Sequence, residues 1–129
     1  MPITALYAGL LVAIYLYLTF RVIGQRRAKG IDLGDGGDRL AARYIRAHAN
    51  FAEYVPLGLV LLLILEIDHW ADWILHVLGI ALVAGRVLHA QAFSVPEYRA
   101  APRAAGMVLT TGMLAVAALL CLVDGTGLR

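Results

Sequence analysis

Hydrophobic residues fall into four long stretches that polar segments separate. The first stretch, residues 3–20, and the last, residues 104–123, contain no charged side chain. As a helix, each is long enough to cross a hydrocarbon core of about 30 Å. The two middle stretches, residues 54–65 and 73–85, are too short to cross it unless polar residues extend them. They are therefore either half-membrane elements or full helices with polar ends, and four spans with short connections favour full helices.

We therefore predict an all-α integral membrane protein, a four-helix bundle formed by a single domain over residues 1–129. The predicted helices span about residues 3–23, 43–65, 70–93 and 102–123. Glycine and aspartate between residues 24 and 40 predict a flexible first connection. Residues 66–72 form a short acidic turn with two tryptophans, which are typical of a membrane interface. Pro96 ends the third helix.

Composition supports a membrane protein. Of the 129 residues, 61% are hydrophobic and 16% are charged, and the mean hydropathy is +0.77. The charged fraction is well below the roughly 25% of a soluble domain. Small residues spaced four apart, at Ala81 and Gly85 and at Gly106 and Thr110, predict close helix contacts. Cys121 is the only cysteine, so an intrachain disulfide is excluded.

The distribution of positive charge predicts the orientation in the membrane. The chain has 11 lysine and arginine residues, and all except Arg129 lie in or beside the first and third connections. Positively charged connections stay in the cytoplasm, so both termini are expected outside it. The basic residues at these connections are Arg21, Arg26, Arg27, Lys29, Arg39, Arg43, Arg46, Arg86, Arg99 and Arg103.

Several polar residues lie within the predicted helices. Helix 2 carries Arg46, Asn50 and Glu53 at positions i, i+4 and i+7, a spacing that places them on one face. Insertion scales give a cost of about 2.5–3.5 kcal/mol for a charge at the centre of a membrane helix. Such residues are therefore expected to face the bundle interior or a water-filled cavity, and to pair. Beside this face we expect Arg21 of helix 1, Arg86, His89 and Phe93 of helix 3, and Arg99 and Arg103 of helix 4.

This polar cluster has more positive than negative charge. Glu53 is its only carboxylate, with Arg46, Arg86 and Arg21 as candidate partners. Surplus guanidinium groups in a sheltered site favour an anionic ligand, because they bind carboxylates and phosphates in bidentate geometry. Two other interpretations remain open. Arginines near helix ends could bind lipid headgroups, and the polar face of helix 2 could only join helices. No spacing of histidines and carboxylates is typical of a metal site.

One segment of helix 2 carries a specific resemblance. Residues 46–56, which read RAHANFAEYVP, resemble the R-A-H-x-N-x-x-E-x-x-P signature of the MAPEG family, the membrane-associated proteins of eicosanoid and glutathione metabolism. The resemblance extends over nearly the whole chain and includes Gly85-Arg-Val-Leu-His89 at the end of helix 3. It implies a homotrimer of four-helix bundles that binds glutathione between neighbouring subunits near the cytoplasmic face.

The resemblance also implies roles for individual residues. Arg103 stands at the position that activates the glutathione thiol, and glutathione is the implied co-substrate, with no metal. Ala49 stands where a second arginine is common, and Phe93 where a tyrosine is common, which argues against the eicosanoid-specific activities. The residues expected to bind glutathione are Arg21, Arg46, Asn50, Glu53, Arg86, His89, Phe93 and Arg99.

The leading hypothesis is a membrane-bound glutathione-dependent transferase or peroxidase. Its second substrate would be an apolar or lipid electrophile that arrives from the bilayer between helices 1 and 4. The first connection and the compact ends are similar to bacterial members, which implies a bacterial inner membrane with the site facing the cytoplasm. The alternative is a non-catalytic lipid- or anion-binding protein on the same scaffold. A transporter that couples through Glu53 is less favoured, because the polar residues occupy one half of the membrane. Membrane lipids and further copies of the chain are the expected partners, and nucleic acid is not.

Overall fold

A computed structural model describes residues 2–93 and 100–127. It contains four α-helices, each long and apolar enough to cross a membrane, and no strand within the described residues. The all-α four-helix prediction is therefore confirmed, while the trimer stays a prediction. The helices are α1 (Ile3–Lys29), α2 (Arg39–Ile67), α3 (Asp72–Ala92) and α4 (Ala100–Gly125).

Helix ends explain the main differences from the predicted bounds. α1 continues past residue 23 to Lys29, because basic side chains in its last turn stabilise the negative end of the helix dipole. Gly30, with φ of 64°, then ends the helix in the left-handed conformation that glycine adopts readily. α2 begins at Arg39, because the carboxylate of Asp38 accepts a hydrogen bond of 2.7 Å from the N–H of Ala41. The same hydrogen bond holds the pKa of Asp38 below its ordinary value.

The four helices form a bundle with α1 and α4 at opposite corners. α1 packs against α2 and α3, α4 packs against the same two helices, and α2 also touches α3. Within the described residues, α1 and α4 make no contact with each other. The predicted access path between helices 1 and 4 is therefore absent from a single subunit.

The core is a narrow apolar layer along the bundle axis. Large apolar side chains such as Leu10, Phe20 and Leu119 instead point outward. Lipid tails are as apolar as leucine, so burial of such side chains gives little drive for helix association in a membrane, and close packing has to hold the helices together. The most completely buried leucines are Leu11, Leu62, Leu65, Leu75 and Leu82.

α3 and α4 approach each other most closely where two glycines meet. A Cβ atom added to Gly106 would lie 2.6 Å from the carbonyl oxygen of Gly85 and 2.8 Å from the backbone nitrogen of His89. A Cβ atom on Gly85 would lie 2.6 Å from the hydroxyl of Thr110. These distances leave no room for a methyl group. The close contact predicted from the small-residue spacing is confirmed for this pair of helices.

At the end of the bundle opposite the α1–α2 connection, polar contacts tie α1 to its neighbours. The Glu66 carboxylate of α2 accepts hydrogen bonds from the backbone N–H groups of Ile3 and Thr4, which caps the first turn of α1. The Tyr7 hydroxyl lies 2.9 Å from Nδ1 of His76 on α3. These hydrogen bonds help to fix the positions of α1, α2 and α3 at this end of the bundle.

Gly106→Ala should destabilise the bundle, because the added methyl group would push α3 and α4 apart. Overpacking of this kind costs about 1–3 kcal/mol. The control is Gly112→Ala on the same helix, where a Cβ atom meets nothing within 4 Å. The control should gain up to about 1 kcal/mol from helix propensity. Thermal unfolding in one detergent compares the two, and equal melting temperatures would contradict the close contact.

Candidate functional site

The polar face of α2 carries an exposed ion pair and, between its two members along the helix, a buried asparagine. Arg46 Nη1 lies 3.3 Å from Glu53 Oε1, with the two side chains 62% and 49% exposed. Asn50 lies between them along the helix and is only 8% exposed. Of the three candidate partners for Glu53, the structure pairs it with Arg46. The ion pair therefore spans the turn that carries Asn50.

Arg86 of α3 is buried in the middle of the bundle and is only 1% exposed. Its Nη1 donates to Asn50 Oδ1 at 2.8 Å, and its Nη2 donates to the Thr110 hydroxyl at 2.7 Å. Its Nε is buried with no hydrogen-bond partner among the described residues. No described carboxylate lies within 4.0 Å of the guanidinium. Nη2 also lies 3.6 Å from the sulfur of Met107 on α4. A full positive charge is thus held by neutral oxygen and sulfur atoms from α2 and α4.

The C-terminal end of α3 carries His89, with Phe93 directly after the helix, and lies close to several arginines. The two rings are 5.1 Å apart, and the His89 side chain is almost completely buried. The guanidinium of Arg103 lies 6.0 Å from the centre of the Phe93 ring. Arg86 precedes His89 by one turn of α3, and Arg46 and Arg103 line the groove next to Phe93. Three helices therefore direct positive charge toward this end of α3.

An open groove of about 400 Å³ lies beside this cluster and is lined by three arginines. Arg43 is not among the predicted ligand-binding residues, although it precedes Arg46 by one turn of α2 and so shares its face. Guanidinium groups from two helices, α2 and α4, make the groove suitable for an anion. Its lining residues are Ala42, Arg43 and Arg46 of α2, Phe93 after α3, and Arg103 of α4.

Of the predicted ligand-binding residues, Arg46 and Phe93 line this groove. Its lining does not include Asn50 and Glu53 of α2, Arg86 and His89 of α3, or Arg21 of α1. Arg21 packs instead between α1 and α2, with its guanidinium 3.9 Å from the centre of the Tyr44 ring and 5.6 Å from that of Tyr17. Arg99 lies outside the described residues, as does the connection around Pro96. The described members of the predicted set therefore divide into three groups: residues that line the groove, polar residues of α2 and α3 outside its lining, and Arg21 on α1.

Thr110 belongs to the site but was not predicted as a functional residue. Its side chain is completely buried, accepts the hydrogen bond from Arg86 and donates to the Gly106 carbonyl oxygen at 2.9 Å. In an apolar helix, a threonine four residues after a glycine also fits close helix packing, and only that role is readable from the sequence. Its hydrogen-bonding role could be recognised only by knowing that a buried arginine of α3 faces it.

Four membrane-length helices with a buried arginine at their centre define a multi-pass α-helical membrane protein. The sequence model of the MAPEG family matches residues 4–123, and the chain belongs to that family. It is similar to the inner membrane protein YecN of Escherichia coli strain K12, with 36% identity over 91 residues, which is 70% of each chain. YecN of Escherichia coli O6:H1 strain CFT073 matches equally well.

Arg86→Lys should destabilise the protein more than Arg86→Met. Lysine keeps the buried charge, but one ammonium group cannot reproduce the guanidinium fork between Asn50 and Thr110. Loss of a hydrogen bond to a charged group costs about 1.5–3 kcal/mol. Methionine also removes the buried charge, which offsets part of that loss. Thermal unfolding in detergent measures both variants. A lower melting temperature for the methionine variant would mean that the positive charge itself stabilises the fold.

Proposed function

We propose that the protein is a membrane-bound glutathione-dependent transferase or peroxidase that acts on apolar electrophiles. The observation that carries the proposal is the groove lined by Arg43, Arg46 and Arg103, beside the family's helix 2 signature. Membership of a family of eicosanoid and glutathione metabolism supports this choice of anion.

The groove and the polar face of α2 together offer a partner for each part of glutathione. Its carboxylates would pair with Arg43 and Arg46, since guanidinium groups bind carboxylates through two parallel hydrogen bonds. Its ammonium group would replace Arg46 as the partner of Glu53. Asn50 would contribute its amide once the ion pair above it has opened. Arg103, at the opposite wall of the groove, would then lie beside the sulfur.

The chemistry follows from the guanidinium beside the thiol. The thiolate is the nucleophile, and the pKa of a free thiol is about 8.5. A neighbouring positive charge favours the thiolate and lowers that pKa. Arg103 stays protonated, so the proton leaves to solvent rather than to the arginine. In the transfer reaction, the sulfur forms a bond to an electrophilic carbon while the leaving group departs with its bonding electrons.

Assembly and orientation complete the proposal. A homotrimer would place α1 of one subunit against α4 of its neighbour, which forms the bilayer-facing access path that a single subunit lacks. It would also bring Arg21 of one subunit toward the groove of another. The distribution of basic residues supports a site facing the cytoplasm, with both termini on the opposite side of a bacterial inner membrane.

A second function uses the same groove without catalysis. The groove is open, and its lining residues lie near the start of α2, the end of α3 and the start of α4. Arginines near the ends of membrane-spanning helices commonly bind lipid headgroups. Guanidinium groups bind phosphate as readily as carboxylate, so an anionic phospholipid or another anion fits the same three arginines.

Glutathione titrated into detergent-solubilised protein should produce the ultraviolet absorbance of its thiolate near neutral pH. With Arg103→Ala, glutathione should still bind, but the pKa of its thiol should return toward about 8.5, so thiolate absorbance appears only at higher pH. Arg103→Lys should keep part of the effect, because it keeps the charge. Arg27→Ala removes an exposed arginine from the last turn of α1 and should behave like the unmodified protein.

Calorimetry separates the two functions. Glutathione binding with a normal thiol pKa would leave a binding protein without thiol activation. An absence of glutathione binding, together with anionic phospholipid that co-purifies and is lost in Arg46→Ala, would support the lipid-binding alternative and overturn the transferase.

A further inference from the structure

Hydrogen bonds through Arg86 connect α4 to α2 across the bundle. The Thr110 hydroxyl donates to the carbonyl oxygen of Gly106 on its own helix, which directs its lone pairs toward α3. There it accepts from Arg86 Nη2 at 2.7 Å, and Arg86 Nη1 donates to Asn50 Oδ1 at 2.8 Å. Thr110, Arg86 and Asn50 are all at least nine-tenths buried. We call this chain of three side chains the Thr110 relay.

The relay determines which end of the Asn50 amide meets Arg86. A guanidinium group has only donors, so the atom that faces it must be the amide oxygen. The NH₂ group of Asn50 is thereby turned away from Arg86, and it has no hydrogen-bond partner among the described residues. Asn50 lies on the face of α2 that carries Arg46 and Glu53. Its donor is therefore available to an acceptor atom bound on that face.

We propose that Thr110 is a positioning residue, which holds Arg86 so that the Asn50 amide presents its NH₂ group to the bound ligand. The ligand rests on the proposed function, an anionic peptide of the glutathione type with carbonyl and carboxylate acceptors. The relay itself is a property of the ligand-free protein. Thr110 does not touch the ligand and acts only through Arg86 and Asn50.

The threonine hydroxyl is the one atom that this role requires. Thr110→Val keeps the shape of the side chain but removes the acceptor, which leaves a buried N–H group of Arg86 without a partner. Arg86 Nη2 then keeps only its weak contact of 3.6 Å with the Met107 sulfur, so the guanidinium can shift and the Asn50 amide is held less firmly in its orientation. Thr110→Ser keeps the hydroxyl and should restore the relay. Thr111→Val is the matched control, since the exposed Thr111 hydroxyl bonds only to carbonyl oxygens of its own helix.

The ligand-free relay can be observed directly, because Asn50 is the only asparagine in the sequence. Protein labelled with ¹⁵N-asparagine gives one pair of side-chain NH₂ resonances, which Asn50→Ala removes and so assigns. Thr110→Val should shift or broaden that pair, while Thr110→Ser and Thr111→Val should leave it in place. Thr110→Ala replaces the valine variant if circular dichroism and gel filtration show that valine disturbs the fold. An unchanged pair in the valine or alanine variant would overturn the relay.

Glutathione affinity, measured by calorimetry, tests whether the relay serves binding. Thr110→Val should weaken binding about tenfold, and Thr110→Ser and Thr111→Val should not weaken it. In the Asn50→Ala background, Thr110→Val should cause no further loss, because its effect passes through Asn50. A tenfold loss that persists in that background would overturn the positioning role, because it would show a general structural effect. If the unmodified protein binds no glutathione, the proposed function fails, and the resonance measurement alone decides the relay.

Discussion

The central constraint on this structure is the burial of one arginine that has no carboxylate partner among the described residues. Arg86 sits in the middle of the bundle, where an unpaired ion is costly. The fold accommodates it through neutral acceptors, the Asn50 amide of α2 and the Thr110 hydroxyl of α4. Both acceptors must stay in place for the charge to be tolerated. The relative positions of α2, α3 and α4 are therefore tied to the geometry of one guanidinium group.

The close approach of α3 and α4 also helps to accommodate Arg86. Gly85 and Gly106 bring the two backbones together, and this places the Thr110 hydroxyl within 2.7 Å of Arg86. A larger residue at either glycine would move the acceptor away from the donor. Packing and polar contacts are thus coupled here. Helix association in lipid depends on close fit and interhelical hydrogen bonds rather than on burial of apolar surface.

The sequence was sufficient for the class of fold and for most of the groove. Four apolar stretches and the i, i+4, i+7 spacing of Arg46, Asn50 and Glu53 predicted a four-helix membrane protein with a polar face on α2. Periodicity assigns residues to faces of a helix, but it does not determine which helices are neighbours. It therefore could not show that Arg21 packs against Tyr44, away from the groove. It also could not separate the hydrogen-bonding role of Thr110 from its role in packing.

The candidate site combines a buried hydrogen-bond network with an exposed ion pair. In the network around Arg86, each lost contact leaves a buried polar group without a partner, which is costly. In the ion pair of Arg46 and Glu53, both side chains are about half exposed. Exposed pairs of this kind contribute only about 0–1 kcal/mol. A ligand that carries both a carboxylate and an ammonium group can therefore displace the pair at little cost, since it offers each partner an opposite charge. The Asn50 amide would meanwhile keep its orientation, because Arg86 still holds its oxygen atom.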